Sequence, residues 1–297
     1  MDRRKYMFQT VIWFIAAGHT FFIGIALLII SIIFSMISKK VCHKLIIYFF
    51  SIISLVLIFM AVILLPRFYY FAWAILITGW LLFFASKNKV QNRYFNFLSI
   101  AVLCSTLFIF ASAIPLVLKP DMPKERFDKL FIIGDSVSAG IGGKAEKTWP
   151  KIFINKYGAN VIDLSVSGST VTTAIRQARQ ITEPNQLVLL EIGGNDFLFS
   201  TPYPQFENSF KQILELVKKQ NSTIVMMEIP MLPKHFRYGE IQRRLAKEYD
   251  TLIVPKRFFA SVQRTKGAGR DFIHLSEKGH QLMAEKLWYI LRPCLEN

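Results

Sequence analysis

Four short polar segments in the second half of the chain carry side chains suited to nucleophilic chemistry. In chain order they are Gly134-Asp135-Ser136, Ser167-Gly168, Gly193-Gly194-Asn195-Asp196 and Asp271-Phe272-Ile273-His274. A serine hydroxyl needs a base to remove its proton, and imidazole changes charge in the right pH range. An aspartate that orients the imidazole, and N–H donors that stabilise an oxyanion, complete the groups needed for acyl transfer. The segments therefore predict a serine nucleophile that acts on an acyl group.

The elements around these segments predict a parallel sheet. Apolar runs of strand length lie at 130–134, 160–164, 187–192, 223–228 and 251–254, and amphipathic runs of helical length lie at 149–157, 170–181, 206–219, 238–249 and 276–291. Continuously apolar strands that alternate with helices are typical of a parallel sheet covered on both faces. Functional side chains gather at the carboxyl ends of such strands. Ser136 and Asn195 follow the first and third predicted strands, so we expect both at that edge of the sheet.

The four segments, in this order, resemble the sequence blocks of the SGNH hydrolase family, also called GDSL esterases and lipases. The resemblance covers nearly all of residues 129–297. It implies a flavodoxin-like three-layer α/β/α sandwich, in agreement with the predicted strands. It also implies that Ser136 is the nucleophile, that His274 is the base and that Asp271 orients the His274 ring. No metal and no cofactor are expected.

The resemblance further implies an oxyanion hole. Its donors would be the backbone N–H groups of Ser136 and Gly168 and the side-chain amide of Asn195. Glycine suits this role because a residue without Cβ lets the backbone approach a ligand closely. The asparagine of the family's second block is often found at or beside the position that Asp163 occupies here, and it is missing. Only Gly168 is therefore carried over from that block.

Other polar residues have competing interpretations. His280, near the start of the last predicted helix, is a rival base, but only His274 has an aspartate three residues before it. Asp196 is expected to shape the turn after the third strand rather than to react, and His235 is expected to face solvent. The three cysteines are widely separated and match neither a metal-site spacing nor a disulfide framework.

The first part of the chain has a different composition. Residues 3–120 contain no Asp or Glu, whereas a soluble domain of this size needs surface charges of both signs. Apolar runs at 7–37, 45–65, 68–86 and 94–118 are each long enough to cross a bilayer. We therefore expect four transmembrane helices within residues 1–128 and a hydrolase domain at 129–297. His19 lies inside the first run, either as a functional group or as a neutral imidazole bonded to a neighbouring helix.

The excess of 36 Lys+Arg over 20 Asp+Glu does not indicate nucleic-acid binding. In the first part of the chain the basic residues lie at the ends of apolar runs, where they contact headgroups or set topology, and no nucleic-acid motif is present.

Four spans place both termini on one side of the membrane, with eight basic residues on that side against six on the other. The loops favour an extracytoplasmic domain and the Arg3-Arg4-Lys5 start favours the reverse. We expect an integral protein of a bacterial plasma or inner membrane, with the extracytoplasmic side favoured.

These features predict a membrane-tethered serine hydrolase. Its partners would be the bilayer and a substrate that lies in or near the bilayer. This substrate would be a lipid or an acylated envelope glycan, and the enzyme would cleave its ester or thioester through an acyl-serine intermediate. One alternative is an O-acyltransferase that passes the acyl group from Ser136 to a sugar hydroxyl. An alternative of another class is a non-catalytic membrane scaffold with an SGNH fold.

Overall fold

The structure is a computed structural model that describes residues 3–38, 42–61, 65, 67–85, 92–143 and 145–295. It divides into two compact units. We call Gly18–Leu118 the helical unit. The other, which we call the sheet unit, combines Met1–Ala17 with Lys119–Asn297.

The first apolar run forms two helices instead of one. Helix α1 covers Arg3–Ala16 and helix α2 covers His19–Ile37. Between them, Gly18 has a φ of +82°, a left-handed conformation that glycine adopts without steric cost. The prediction of a single helix over 7–37 is therefore wrong. Helix α1 groups with the sheet unit and not with the four helices that follow, although the domain boundary was predicted at residue 128.

The helical unit continues from α2 with α3 (Cys42–Met60), α4 (Arg67–Ala85) and α5 (Asn92–Ala113). All four are long and apolar enough to cross a membrane. Buried polar groups between α4 and α5 are paired. Trp73 donates its indole N–H to Thr106 over 3.0 Å, and Trp80 donates to Ser99 over 3.0 Å. Such pairs suit an apolar surrounding, where an unpaired polar group is costly.

The sheet unit contains five parallel strands: β1 (Leu130–Gly134), β2 (Val161–Asp163), β3 (Leu187–Glu191), β4 (Thr223–Met227) and β5 (Leu252–Val254). Their spatial order is β2-β1-β3-β4-β5. This is the flavodoxin-like order, in which ligands bind at the carboxyl edge. The predicted parallel α/β fold is confirmed.

Eight helices surround this sheet in the described chain: α6 (Ser136–Ala139), α7 (Trp149–Tyr157), α8 (Val171–Ala178), α9 (Gly194–Leu198), α10 (Tyr203–Lys218), α11 (Phe236–Glu248), α12 (Arg257–Gln263) and α13 (Glu277–Leu295). Alternate residues of β1 point to opposite faces. Ile132 packs in one apolar cluster with Trp149 of α7, whereas Ile133 packs in a second with Phe206 of α10. Helices therefore cover both faces of the sheet and form the predicted three layers.

Candidate active site

Ser136 lies at the carboxyl end of β1, as predicted. The Asp135 carboxylate caps α6 by accepting the Val137 N–H over 2.9 Å, and Ser136 is the first residue of that helix. Its side chain is mostly buried, with 6% of the residue exposed. The chain can turn this closely because Gly134 has no side chain: a Cβ there would lie 2.6 Å from the Ser165 hydroxyl oxygen.

Asn195 connects three loops at the carboxyl edge of the sheet. Its Nδ2 donates to the Ser169 carbonyl over 2.9 Å and lies 3.4 Å from Asp135 Oδ2. The loops after β1, β2 and β3 therefore meet at this amide. Gly168 precedes Ser169 in an exposed loop. Its φ is +80°, a backbone conformation that residues with a Cβ rarely adopt.

Two buried polar side chains hold these loops in place. Asp196 accepts the N–H of Val171, the first residue of α8, over 2.9 Å. Burial is the main cause that raises the pKa of Asp196, and this contact fits the predicted role in shaping the turn. Gln177 of α8 accepts the Gly134 N–H over 3.0 Å and donates to the Ser169 hydroxyl over 3.0 Å. Gln177 was not predicted from the sequence. The only indication of its role there is that a polar residue occupies the apolar face of an amphipathic helix.

Asp271 and His274 form a close pair in the loop before α13. Asp271 Oδ1 accepts the backbone N–H groups of Ile273 and His274 over 2.7 and 2.8 Å, and Oδ2 lies 2.7 Å from His274 Nδ1. Burial opposes the charge on Asp271, but the backbone and ring donors outweigh burial and lower the pKa of Asp271. An ionised Asp271 favours the tautomer with the proton on Nδ1. That tautomer leaves Nε2 free to accept a proton.

Ser136 and Asn195 line the same pocket. Apolar side chains form much of the rest of its lining, and Ile273, next to His274 in sequence, contributes to it. Gly168, Asp271 and His274 are not among the described lining residues. His274 is nevertheless near enough to influence Asp135. Burial raises the pKa of Asp135 to about 6, while the hydrogen bond from the Val137 N–H and the electrostatic effect of His274 act in the opposite direction.

Glu191 is a half-buried carboxyl group that lines the same pocket as the nucleophile. It ends β3 and accepts the Ser138 hydroxyl over 2.7 Å. Burial, and next the negative charge of Asp135, raise the pKa of Glu191 well above its usual value. Glu191 was not predicted as a site residue, although the sequence shows a single charged residue at the end of an apolar strand.

The other histidines occupy different surroundings. His280 is 1% exposed, and its Nδ1 accepts the Trp149 N–H over 3.2 Å. Burial lowers the pKa of His280, so it serves as a neutral acceptor between α13 and α7. His235 is half-buried, with its ring 5.5 Å from that of Phe197, and His19 is the first residue of α2. Among the residues that the structure describes, no group of three metal-ligating side chains is placed to hold an ion.

Comparison with known proteins identifies a family and several similar proteins. Residues 132–282 match the GDSL-like lipase/acylhydrolase family. Thioesterase 1/protease 1/lysophospholipase L1 of Escherichia coli K12 is 31% identical over 180 residues, which cover 57% of this chain and 86% of that protein. The arylesterase of Vibrio mimicus is 29% identical over 140 residues, or 43% of this chain and 70% of that protein. The crystal structure of esterase EstA from Pseudoalteromonas sp. is 22% identical with a TM-score of 0.48, and the match covers 56% of this chain and 97% of that one.

Proposed function

Since the chain belongs to the GDSL-like lipase/acylhydrolase family and is a carboxylic ester hydrolase, we propose that it works through a covalent acyl-enzyme on Ser136. The main support is the pocket that Ser136 shares with Asn195, next to the loop of the Asp271–His274 pair. The nucleophile and the amide donor line one largely apolar pocket, and the oriented base lies in the loop beside it. These are the groups that acyl transfer needs.

In this mechanism Ser136 Oγ attacks the carbonyl carbon of the ester while its proton passes to His274 Nε2. Asp271 holds the ring through Nδ1 and stabilises the imidazolium. His274 then gives the proton to the departing alcohol or thiol, and the acyl group stays on Ser136. Water attacks this acyl-serine with His274 again as the base, which releases the acid and restores the serine.

The oxyanion formed in each step would receive hydrogen bonds from three donors. They are the Ser136 N–H, the Gly168 N–H and the Asn195 side-chain amide. Ser136 stands in the first turn of α6, where backbone N–H groups have no partner within the helix. Each donor of this kind typically accounts for about 100- to 1000-fold in rate.

We also propose that the enzyme is tethered to a membrane and acts on an acylated lipid or envelope glycan. Four helices are long and apolar enough to cross. An even number of crossings returns the chain to its starting side, which fits the finding that α1 and the residues from Lys119 onward form one unit. The apolar pocket suits an acyl chain. We place the sheet unit on the extracytoplasmic side.

The nucleophile is tested with a fluorophosphonate probe, which labels an activated serine. The full-length protein should be labelled and Ser136→Ala should not, while Ser167→Ala, an exposed serine beside Gly168, should label normally. Labelling that persists in folded Ser136→Ala would exclude Ser136, and an unlabelled parent protein would favour a scaffold. Products measured with and without a sugar acceptor distinguish hydrolysis from acyl transfer.

The side of the membrane is tested separately. Lys219 is exposed at the end of α10. Lys219→Cys, in a chain whose native cysteines are replaced by serine, should react with an impermeant thiol reagent on intact cells. Reaction only after lysis would place the sheet unit in the cytoplasm.

A further inference from the structure

Helix α1 lies beside the active-site pocket, outside the residues that match the family. Its Trp13 is 8% exposed and packs edge-on against Phe259 of α12, with ring centroids 5.5 Å apart. Trp13 belongs to the same apolar cluster as Met227 and lines the pocket together with Ser136. A side chain from the start of the sequence is thus part of the wall of a site formed by the rest of the sheet unit.

Three further contacts hold α1 against the segment that leads to the Asp271–His274 pair. The Tyr6 hydroxyl donates to the Arg264 carbonyl over 3.1 Å. Gln9, which is 3% exposed, donates to the Asp271 carbonyl over 3.3 Å. The ring of Phe8 lies 6.2 Å from that of Phe272.

The spacing of the three buried or bonded residues defines one face of α1, to which the 62% exposed Phe8 does not belong. Tyr6, Gln9 and Trp13 are three and four positions apart and therefore lie on the same side of the helix. Met7 and Val11, which are offset from them, are 64% and 52% exposed. Contacts at three points along one face fix the rotation of α1, so Trp13 is held facing the pocket.

We propose that Trp13 is a specificity-determining residue that limits the length of the acyl group bound at Ser136. The inference rests on the proposed function, because it assumes that an acyl group is attached to Ser136. With the carbonyl oxygen near Asn195, the acyl chain extends among the apolar lining residues, which include Trp13, Met227 and Phe259. The indole is the largest side chain in that lining and closes the space that a longer chain needs.

Two replacements probe the size of this wall. Trp13→Ala removes the ring and opens the pocket, and Trp13→Phe reduces it while keeping an aromatic contact with Phe259. In the described chain the Trp13 indole N–H has no acceptor, so phenylalanine breaks no hydrogen bond. Val11→Ala is the matched control, since it alters an exposed residue of the same helix.

The measurement uses the full-length protein in detergent. For each variant the ratio of kcat/KM for p-nitrophenyl octanoate to that for p-nitrophenyl acetate is determined. Each buried methylene contributes about a fourfold factor in binding, so room for two more predicts a rise in the ratio of about tenfold or more for Trp13→Ala. Trp13→Phe should give a smaller rise, and Val11→Ala should stay within about twofold of the parent.

An unchanged ratio in a folded Trp13→Ala protein would overturn the proposal. If thermal unfolding shows that this variant does not fold, Trp13→Phe decides: a rise supports the proposal and a change of less than about twofold overturns it. Fluorophosphonate labelling of the same preparations keeps the two hypotheses apart. A parent protein unlabelled at Ser136 refutes the proposed function, whereas normal labelling with a constant ratio refutes only the role of Trp13.

Discussion

Replacing Glu191 with glutamine should make the stability of the sheet unit less sensitive to rising pH. Burial, followed by the charge of Asp135, raises the pKa of Glu191 well above its usual value, and the donors Ser138 Oγ–H and Asp135 N–H do not cancel these effects. The folded protein therefore keeps a proton that the unfolded chain loses. Glutamine retains the acceptor oxygen but carries no ionisable proton.

The sign and size follow from proton linkage. A raised folded pKa contributes stability that is fully present below the unfolded value, about 4.3 for glutamate, and is lost as pH rises through the folded pKa. Within that window one such group changes the unfolding free energy by at most about 1.4 kcal/mol per pH unit. For a domain of this size class that equals roughly 3–6 °C in unfolding temperature per pH unit. Asp135, whose pKa is raised to about 6, adds an effect of the same sign as pH rises to about 6.

The assay is thermal unfolding of the purified full-length protein in detergent at a series of pH values from 5 to 8. The unfolding temperature of the parent should fall more steeply with pH than that of Glu191→Gln. Glu215→Gln is the control, because Glu215 is an exposed residue of α10 that accepts the Tyr249 hydroxyl. Parallel pH curves for all three proteins would show that Glu191 is ionised in the fold and would refute the reasoning.

Two predictions concern turnover. Asn195→Ala should lower kcat by about 100- to 1000-fold with little change in KM, as expected for a donor used in the transition state. Asn208→Ala, on the exposed face of α10, should leave turnover unchanged. Normal turnover in Asn195→Ala would mean that the amide only joins the loops. His274→Gln should be inactive, and His280→Ala should keep the parent pH–rate profile but unfold at lower temperature, because the Trp149 N–H loses its acceptor. The opposite pattern of activities would show that the base is misassigned.

Local sequence patterns were sufficient to predict much of the fold. The first strand was predicted at 130–134 and is observed at Leu130–Gly134, because an apolar run bounded by charged and polar residues is a local signal. Short helices such as α6 and α9, with four and five residues, were not predicted, since they are too short to show a helical period. The division of 7–37 was also missed, because hydropathy does not distinguish an apolar face that packs on a protein from one that meets lipid.

The part of the site that directly follows strands could be predicted from the sequence, because the carboxyl ends of parallel strands lie at one edge of the sheet. Ser136 and Asn195 meet in one pocket because β1 and β3 are neighbours in the sheet. The catalytic and oxyanion roles remain predictions. Gln177 and Trp13 escaped notice because their importance depends on distant partners: Gln177 contacts a residue 43 positions away, and no periodicity in the sequence encodes such a contact.

The docking of α1 sets the order in which the protein can be completed during synthesis. Tyr6 and Gln9 contact residues that are 258 and 262 positions later in the chain. At about 5–20 residues per second, a ribosome needs roughly 13–50 s to make the intervening chain. A helix of 14 residues is only marginally stable by itself in water. During this interval α1 therefore lacks the contacts with Arg264 and Asp271 that hold it in the folded protein. Helix α1 therefore reaches its final place only after the residues that it contacts have been made, and the pocket around Ser136 stays without the Trp13 part of its wall until then.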